Sequence, residues 1–305
     1  MGPDGIPNEF YKEGGEVILG GLERLFGEIV RTERVLEEWN KTKVTLLHKG
    51  GHKSKKEIKN YRPVAVANTI SNIFCGILKE KITEVVEREG IISDEQSGFR
   101  KNRRGTDNLY IMKEIIEEAK KEGKQYYCAF LDIEKAYDTV DREVLWEILH
   151  RMGLEDKVVN IVKSLYNNTS AEYSLGDIKV EEIRSRRGLR QGCTLSPLLF
   201  SLFMEEFTRR IKKLNLGIRI GEELLAILLF ADDIILLAET PEDLQRLLRE
   251  VDRFSRDVNI KFSAEKSKVM IVNERDGEGE RRWQMEEEEL EVVQEYKYLG
   301  TVVPP

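Results

Sequence analysis

The stretch Leu228-Leu229-Phe230-Ala231-Asp232-Asp233-Ile234-Ile235-Leu236-Leu237 sets two adjacent carboxylates between two apolar runs of β type. Such runs read as buried strands, so the turn that joins them sits against protein. A charge there is costly unless it is paired or bound to metal. An ordinary hairpin turn is the plainer reading, since Asp favours turns. A second acid has the same setting. Ala129-Phe130-Leu131-Asp132-Ile133 is a buried-type strand ending on Asp132, followed by Glu134-Lys135-Ala136-Tyr137-Asp138. If the two strands are neighbours in one sheet, Asp132 and Asp232 meet at its end, with Asp233 close by. Magnesium prefers oxygen ligands and keeps waters or substrate phosphates in its shell. Three carboxylates at one point imply two such ions about 3.5–4 Å apart, an arrangement that clamps both oxygens in phosphoryl transfer. A strand-end Asp capping a loop is the plainer alternative for Asp132.

A third element, Gly188-Leu189-Arg190-Gln191-Gly192-Cys193-Thr194-Leu195-Ser196-Pro197, restricts a turn into a helix and sets the neutral donor and acceptor Gln191 beside it. Alone it is a loop–helix junction.

Charge sharpens the picture. The net charge of −7 over 305 residues argues against a nucleic-acid partner, but its distribution reverses that. Glu274 to Glu295 holds ten acids and three bases, which is the whole excess. The bases of the remainder cluster. His48–Arg62 carries six Lys and Arg against one Glu, Phe99–Asp107 four against one, and Arg184–Arg190 four against none. Three such loops converging would form a phosphate-binding face, whereas any one alone reads as a solvated loop. No apolar run reaches the ~18 residues of a membrane span, and the N-terminus lacks the apolar core of a signal peptide. Cys75, Cys128 and Cys193 form no CxxC, which excludes zinc ribbons and disulfide scaffolds and fits a reducing intracellular compartment, cytoplasm and nucleus.

Periodicity predicts helices over about 15–38, 70–89, 107–121, 141–151, 155–167, 196–213 and 241–257. It predicts strands over 44–47, 64–66, 125–133, 224–230 and 234–238, a hairpin across 172–183 turning at Gly176-Asp177, and short strands with an acidic turn over 261–303. Strands and helices alternate without regular βαβ spacing, which indicates an α+β fold with an antiparallel sheet.

Taken in order, these stretches resemble the reverse transcriptase family, particularly the enzymes of non-LTR (LINE-type) retrotransposons. Pro3-Asp4-Gly5-Ile6-Pro7 is similar to the family's N-terminal block, Asn60-Tyr61-Arg62-Pro63-Val64 to its fingers block, and Glu95-Gln96-Ser97-Gly98-Phe99-Arg100 to its QxGF segment. Phe130–Val140 resembles motif A, Arg190–Phe200 motif B and Phe230-Ala231-Asp232-Asp233 motif C. Lys266, within Ser263-Ala264-Glu265-Lys266-Ser267, resembles motif D, and Tyr298-Leu299-Gly300 motif E. Many family members have Tyr where Phe230 stands, but LINE-type enzymes commonly carry Phe.

The resemblance implies a right-hand polymerase, with fingers over about 1–124 and 168–190 and a palm over about 125–167 and 191–305. It makes Asp132, Asp232 and Asp233 ligands of two Mg²⁺ ions, with Mn²⁺ as the alternative, and adds the backbone carbonyl of Ile133. Tyr137 falls where the family places the gate against a ribose 2′-OH, although a core aromatic is the plainer role. Gln191 and Gly192 would lie at the incoming nucleotide, Phe230 beside it, and Arg62 with Lys49 at its triphosphate. Lys266 would give a proton to pyrophosphate, although a solvated Lys is equally natural. The implied activity is RNA-directed DNA polymerisation, with an RNA template, a DNA primer, their duplex and dNTPs as partners. A catalytically silent remnant that binds RNA is the rival; an unused acid triad repelling itself argues against it. An RNA-dependent RNA polymerase shares the palm logic but is disfavoured by Tyr137. The chain ends just past the motif E segment, so the expectation is fingers and palm with the thumb absent and no endonuclease.

Overall fold

The computed structural model describes residues 2–176, 178–274 and 281–305. Asp177 of the expected turn and residues 275–280 of the acidic stretch lie outside the described residues. In chain order the first strands are β1 (Lys41–His48), β2 (Tyr61–Val66), β3 (Tyr126–Leu131), β4 (Ser170–Leu175), β5 (Ile178–Arg184), β6 (Ile218–Ile220) and β7 (Glu223–Leu225). Then come β8 (Ile227–Phe230), β9 (Asp233–Ala238), β10 (Lys268–Val272), β11 (Trp283–Met285), β12 (Glu288–Val292), β13 (Tyr296–Tyr298) and β14 (Thr301–Val303). The chain divides into two compact units, one of Met1–Arg88 with Arg142–Ser196 and the other of Glu89–Asp141 with Pro197–Pro305.

The second unit is built on a six-stranded sheet ordered β11-β12-β10-β3-β9-β8. Its pairs are antiparallel except β10 with β12, which run parallel. Every residue of β3 is buried, because both sheet faces are covered. Tyr126, Cys128 and Phe130 share a core with Met112, Ile115, Ile116 and Ala119, the apolar stripe of helix Gly105–Glu122. Helix Pro241–Val258 packs on β3, β9 and β11. It buries Leu244, Leu247, Leu248, Val251, Phe254 and Val258 at helical spacing, and its N-cap Thr240 accepts the Asp243 N–H at 3.1 Å. The apolar run expected as one strand over 224–230 is divided: β7 pairs with β6, whereas β8 joins the large sheet.

The first unit holds a four-stranded sheet ordered β2-β1-β4-β5, antiparallel except for β1 with β4. The helix expected over 15–38 stops at Thr32. Glu33 takes a left-handed conformation (φ 59°), and a 3₁₀ turn at Glu37–Asn40 follows. Tertiary bonding overrides periodicity there, since the Val35 N–H donates to Ser164 Oγ and the Asn40 amide to the Ser164 and Asn167 carbonyls. The turn brings Trp39 onto Phe26 and Phe74 in the core.

The basic run Arg184–Arg190 is held from beneath by buried Arg142. Its Nε donates to the Gly188 carbonyl (2.9 Å), Nη1 to the Ser185 (3.0 Å) and Tyr166 (3.2 Å) carbonyls, and Nη2 to the Arg187 carbonyl (3.3 Å). Replacing Arg142 by Met removes a charged donor from four carbonyls. Urea denaturation should then register a loss of about 3 kcal/mol. Arg142→Lys should recover only part of it, because an ammonium lacks the planar fork.

Candidate active site

Strands β3 and β9 are antiparallel neighbours, with Tyr127 opposite Ala238 and Leu131 opposite Ile234. One further step of that register sets Asp132 across from Asp233, at the end of the sheet. β8 and β9 close as a hairpin on the pair Phe230–Asp233, with Ala231 and Asp232 between them. Asp232 thus occupies the turn, and it is Asp233 that stands on the strand facing Asp132.

Burial raises the Asp233 carboxyl above the ordinary aspartate value of 3.8, and the like charges of Asp232 and Asp132 raise it further. Asp132 has a counter-ion: Lys266 Nζ lies 2.9 Å from its Oδ1. That hydrogen bond leads in holding Lys266 above the usual lysine range. The Asp132 backbone is fixed as well. Its N–H donates to the buried Ser267 hydroxyl (3.1 Å), and its carbonyl accepts the Ser263 N–H (2.8 Å). Glu134 N–H donates to the Lys261 carbonyl (2.9 Å) around the bridge Ile133–Phe262. Because successive peptide groups of an extended chain point to opposite sides, the Ile133 carbonyl faces away from that segment.

Aromatic rings line the same region. Half-buried Tyr137 stacks on Phe200 at a centroid distance of 5.0 Å and an interplanar angle of 13°. Its hydroxyl pKa is pushed up by burial first and then by Asp232. Tyr296 stacks on Phe130 at 4.2 Å and is raised by burial, Asp132 and Asp233. Tyr298 is buried and accepts a 3.0 Å hydrogen bond from the Asn108 amide, which also donates to the Leu229 carbonyl (3.2 Å).

The structure brings Asp132, Ile133, Tyr137, Phe230, Asp232, Asp233 and Lys266 into one compact unit, and Lys49, Arg62, Gln191 and Gly192 into the other. Lys49 Nζ donates to the Lys59 carbonyl (2.7 Å), and Arg62 is exposed on β2 opposite Leu47. Gly192 has φ 81°, and a Cβ there would come within 2.6 Å of the Ala65 carbonyl oxygen, so only glycine fits. Sequence reasoning did not single out Ser267, Tyr296 or Asn108. A polar side chain on the apolar stripe of a helix was the signal for Asn108.

Among the described residues no three His, Cys, Asp or Glu side chains form a ready metal cage. The donor chemistry nevertheless fits magnesium or manganese. Both are hard ions that accept carboxylate and carbonyl oxygen, and Mg²⁺ needs only one or two protein carboxylates when water and phosphate complete its shell.

The family profile described as reverse transcriptase (RNA-dependent DNA polymerase) matches residues 52–303. The chain belongs to the reverse transcriptase family, and to its non-LTR retrotransposon branch. It is 31% identical over 212 residues to the Pol polyprotein of the type-1 retrotransposable element R2 of Nasonia vitripennis, covering 70% of this chain and 20% of that protein. It is 27% identical to the 149 kDa protein of transposon TX1 of Xenopus laevis, covering 80% of this chain and 19% of the relative. The chain thus spans about a fifth of the length of these relatives. In fold it is similar to apo telomerase of Candida tropicalis, with a TM-score of 0.59 at 11% identity, covering 94% of this chain and 52% of that one.

Asp233 generates a signed prediction. A carboxyl raised on folding holds its proton more tightly in the folded state, so stability is lost as pH climbs from 3.8 through the raised value. In metal-free buffer Asp233→Asn should raise the melting temperature at pH 7, and the gain should vanish below pH 3.8. Melting curves over that range, with and without Mg²⁺, check it. Mg²⁺ at a hundredfold excess over its Kd should stabilise the parent chain by about 2.7 kcal/mol and the variant by less.

Proposed function

We propose that this chain is an RNA-directed DNA polymerase, extending a primer 3′-OH with dNTPs on an RNA template. The observation that carries the reading is the acid cluster at the β3–β9 sheet end, in a chain of the reverse transcriptase family. In this reading the palm covers about 125–167 and 191–305 and the fingers about 1–124 and 168–190, a functional division distinct from that of the compact units.

Asp132, Asp232, Asp233 and the Ile133 carbonyl would hold Mg²⁺ or Mn²⁺. The ions, when bound, supply Lewis acidity to the primer hydroxyl and the phosphates. The protein's own part is positioning. Tyr137, stacked on Phe200, would exclude a 2′-OH by its bulk. Lys266 keeps a proton on Nζ, held there by Asp132, and can deliver it to the leaving pyrophosphate. Gln191 and Gly192 border the nucleotide, Phe230 supports the acid hairpin, and Arg62 with Lys49 carries positive charge for the triphosphate. The basic loops hold template and duplex through phosphates, with little sequence readout. A telomerase similar in fold has been solved with a fragment of telomeric RNA, which agrees with an RNA partner here. Among the described residues no helix is long and apolar enough to cross a membrane.

Primer extension on poly(rA)/oligo(dT) with Mg²⁺ tests the reading directly. Incorporation of dTTP is expected, and either Asp132→Ala or Asp232→Ala should abolish it while the chain stays folded. Absence of incorporation in the parent chain with retained RNA binding would replace the polymerase by an RNA-binding module. Tyr137→Ala should raise rNTP use relative to dNTP by about 10- to 100-fold, the scale of a lost steric contact.

Salt dependence tests the first basic loop separately. Log affinity for duplex should fall with log salt at about −0.9 per neutralised phosphate, and changing Lys53, Lys55 and Lys56 to Gln should make the slope shallower. A slope indifferent to the triple change would mean that these lysines are only solvated.

A further inference from the structure

The segment Glu95–Gly98 runs alongside the acid hairpin. The Leu229 N–H donates to the Glu95 carbonyl and the Ser97 N–H to the Leu229 carbonyl, both at 2.9 Å, so that Gln96 bridges Leu229 in a parallel pairing. Gln96 is fully buried. Its Oε1 accepts from two backbone N–H groups, Gly98 at 3.0 Å and Ala231 at 3.3 Å. The two donors fix which way the amide faces, because the flipped amide would direct its own N–H groups at them. That orientation leaves Nε2 buried without a partner, a cost that a side chain kept only for packing has no reason to bear.

The residue so held is a strained one. Ala231 has φ 62°, in a two-residue hairpin where glycine is the usual occupant of a left-handed position. Gly98 lies hard against it: a Cβ at Gly98 would sit 2.3 Å from the Ala231 nitrogen. The next two residues are Asp232 and Asp233, so the direction in which the Ala231 peptide points sets where both carboxylates begin. Gln96 itself makes no contact with either carboxylate through these bonds.

We infer that Gln96 is a positioning residue for the acid hairpin, its amide oxygen holding the Ala231 peptide in the left-handed turn that aims Asp232 and Asp233. The inference rests on the reading of these acids as metal ligands given above. Its structural half stands without that reading. Gln96→Met keeps the volume and removes the acceptor, whereas Gln96→Glu keeps an acceptor for both N–H groups.

The test uses the full chain and three measurements: amide hydrogen exchange at Ala231, Mn²⁺ binding followed by electron paramagnetic resonance, and steady-state kinetics. In Gln96→Met, exchange at Ala231 should quicken by up to about tenfold, the equilibrium worth of one hydrogen bond, while the helix around Val251 stays protected. Mn²⁺ affinity should fall about 10- to 100-fold, the usual effect of losing a group that orients a ligand. Where the parent chain extends primers, kcat should fall with the KM for dTTP unchanged. Gln96→Glu should keep the slow exchange. If Gln96→Met does not fold, Gln96→Asn, which retracts the amide by one methylene, replaces it with the same expectations. Parent-like exchange at Ala231 together with parent-like Mn²⁺ affinity in the acceptor-less variant would overturn the inference. A parent chain that neither binds Mn²⁺ nor extends primers overturns the polymerase reading instead, and exchange at Ala231 then decides the clamp alone.

Discussion

Everything at the candidate site depends on the pairing of β3 with β9. Asp132 and Asp233 lie a hundred residues apart in the chain, and their carboxylates repel. They are nevertheless held across from one another because Tyr127–Leu131 and Ile234–Ala238 zip together as buried strands. Each buried side chain of this ladder is worth roughly 1.5–3 kcal/mol relative to exposure. Like charges partly open to water cost far less than that sum, so apolar burial imposes the juxtaposition that electrostatics resists. The Asp233 carboxyl bears part of that cost, raised by burial first and then by the like charges of Asp232 and Asp132.

The hairpin and the helices that frame it were legible because their determinants are local. Leu228–Leu237 announces two buried strands around an acidic turn, expected over 231–233 and one residue tighter in the fold, and Leu244, Leu247, Leu248 and Val251 announce a helical face with Thr240 as its cap. Helix Ser196–Lys213 begins where Ser196-Pro197 predicts. What escaped was set by distant partners. The helix end at Thr32 answers to Ser164, the parallel pairing of β1 with β4 joins segments more than a hundred residues apart, and β7 leaves β8 in order to pair with β6. No periodicity encodes such choices.

The same division runs through the site. The acids could be found from their improbable setting between apolar strands, but the facing of Asp132 with Asp233 rather than Asp232 depends on the exact register and turn size. Ser267 and Asn108 were invisible as supports because each acts through a backbone group remote in sequence: Ser267 on the N–H of Asp132, Asn108 on the carbonyl of Leu229. A sequence displays the groups that carry charge more readily than the groups that hold them in place.

The three acids are also unequal in a way that their shared residue type conceals. Asp132 is anchored at its N–H and its carbonyl and balanced by Lys266, so its charge is already satisfied in part. Asp233 stands exposed at the strand end, its carboxyl raised by partial burial and by two like charges, and the hydroxyls of Tyr137, Tyr296 and Tyr298 are all raised by burial and then by one or more of these acids. Negative potential therefore concentrates around Asp232 and Asp233, away from the lysine. A cation entering such a field gains most on that side. The fold supplies the charge imbalance at the sheet end, and the imbalance in turn explains why an oxygen-seeking divalent ion suits it.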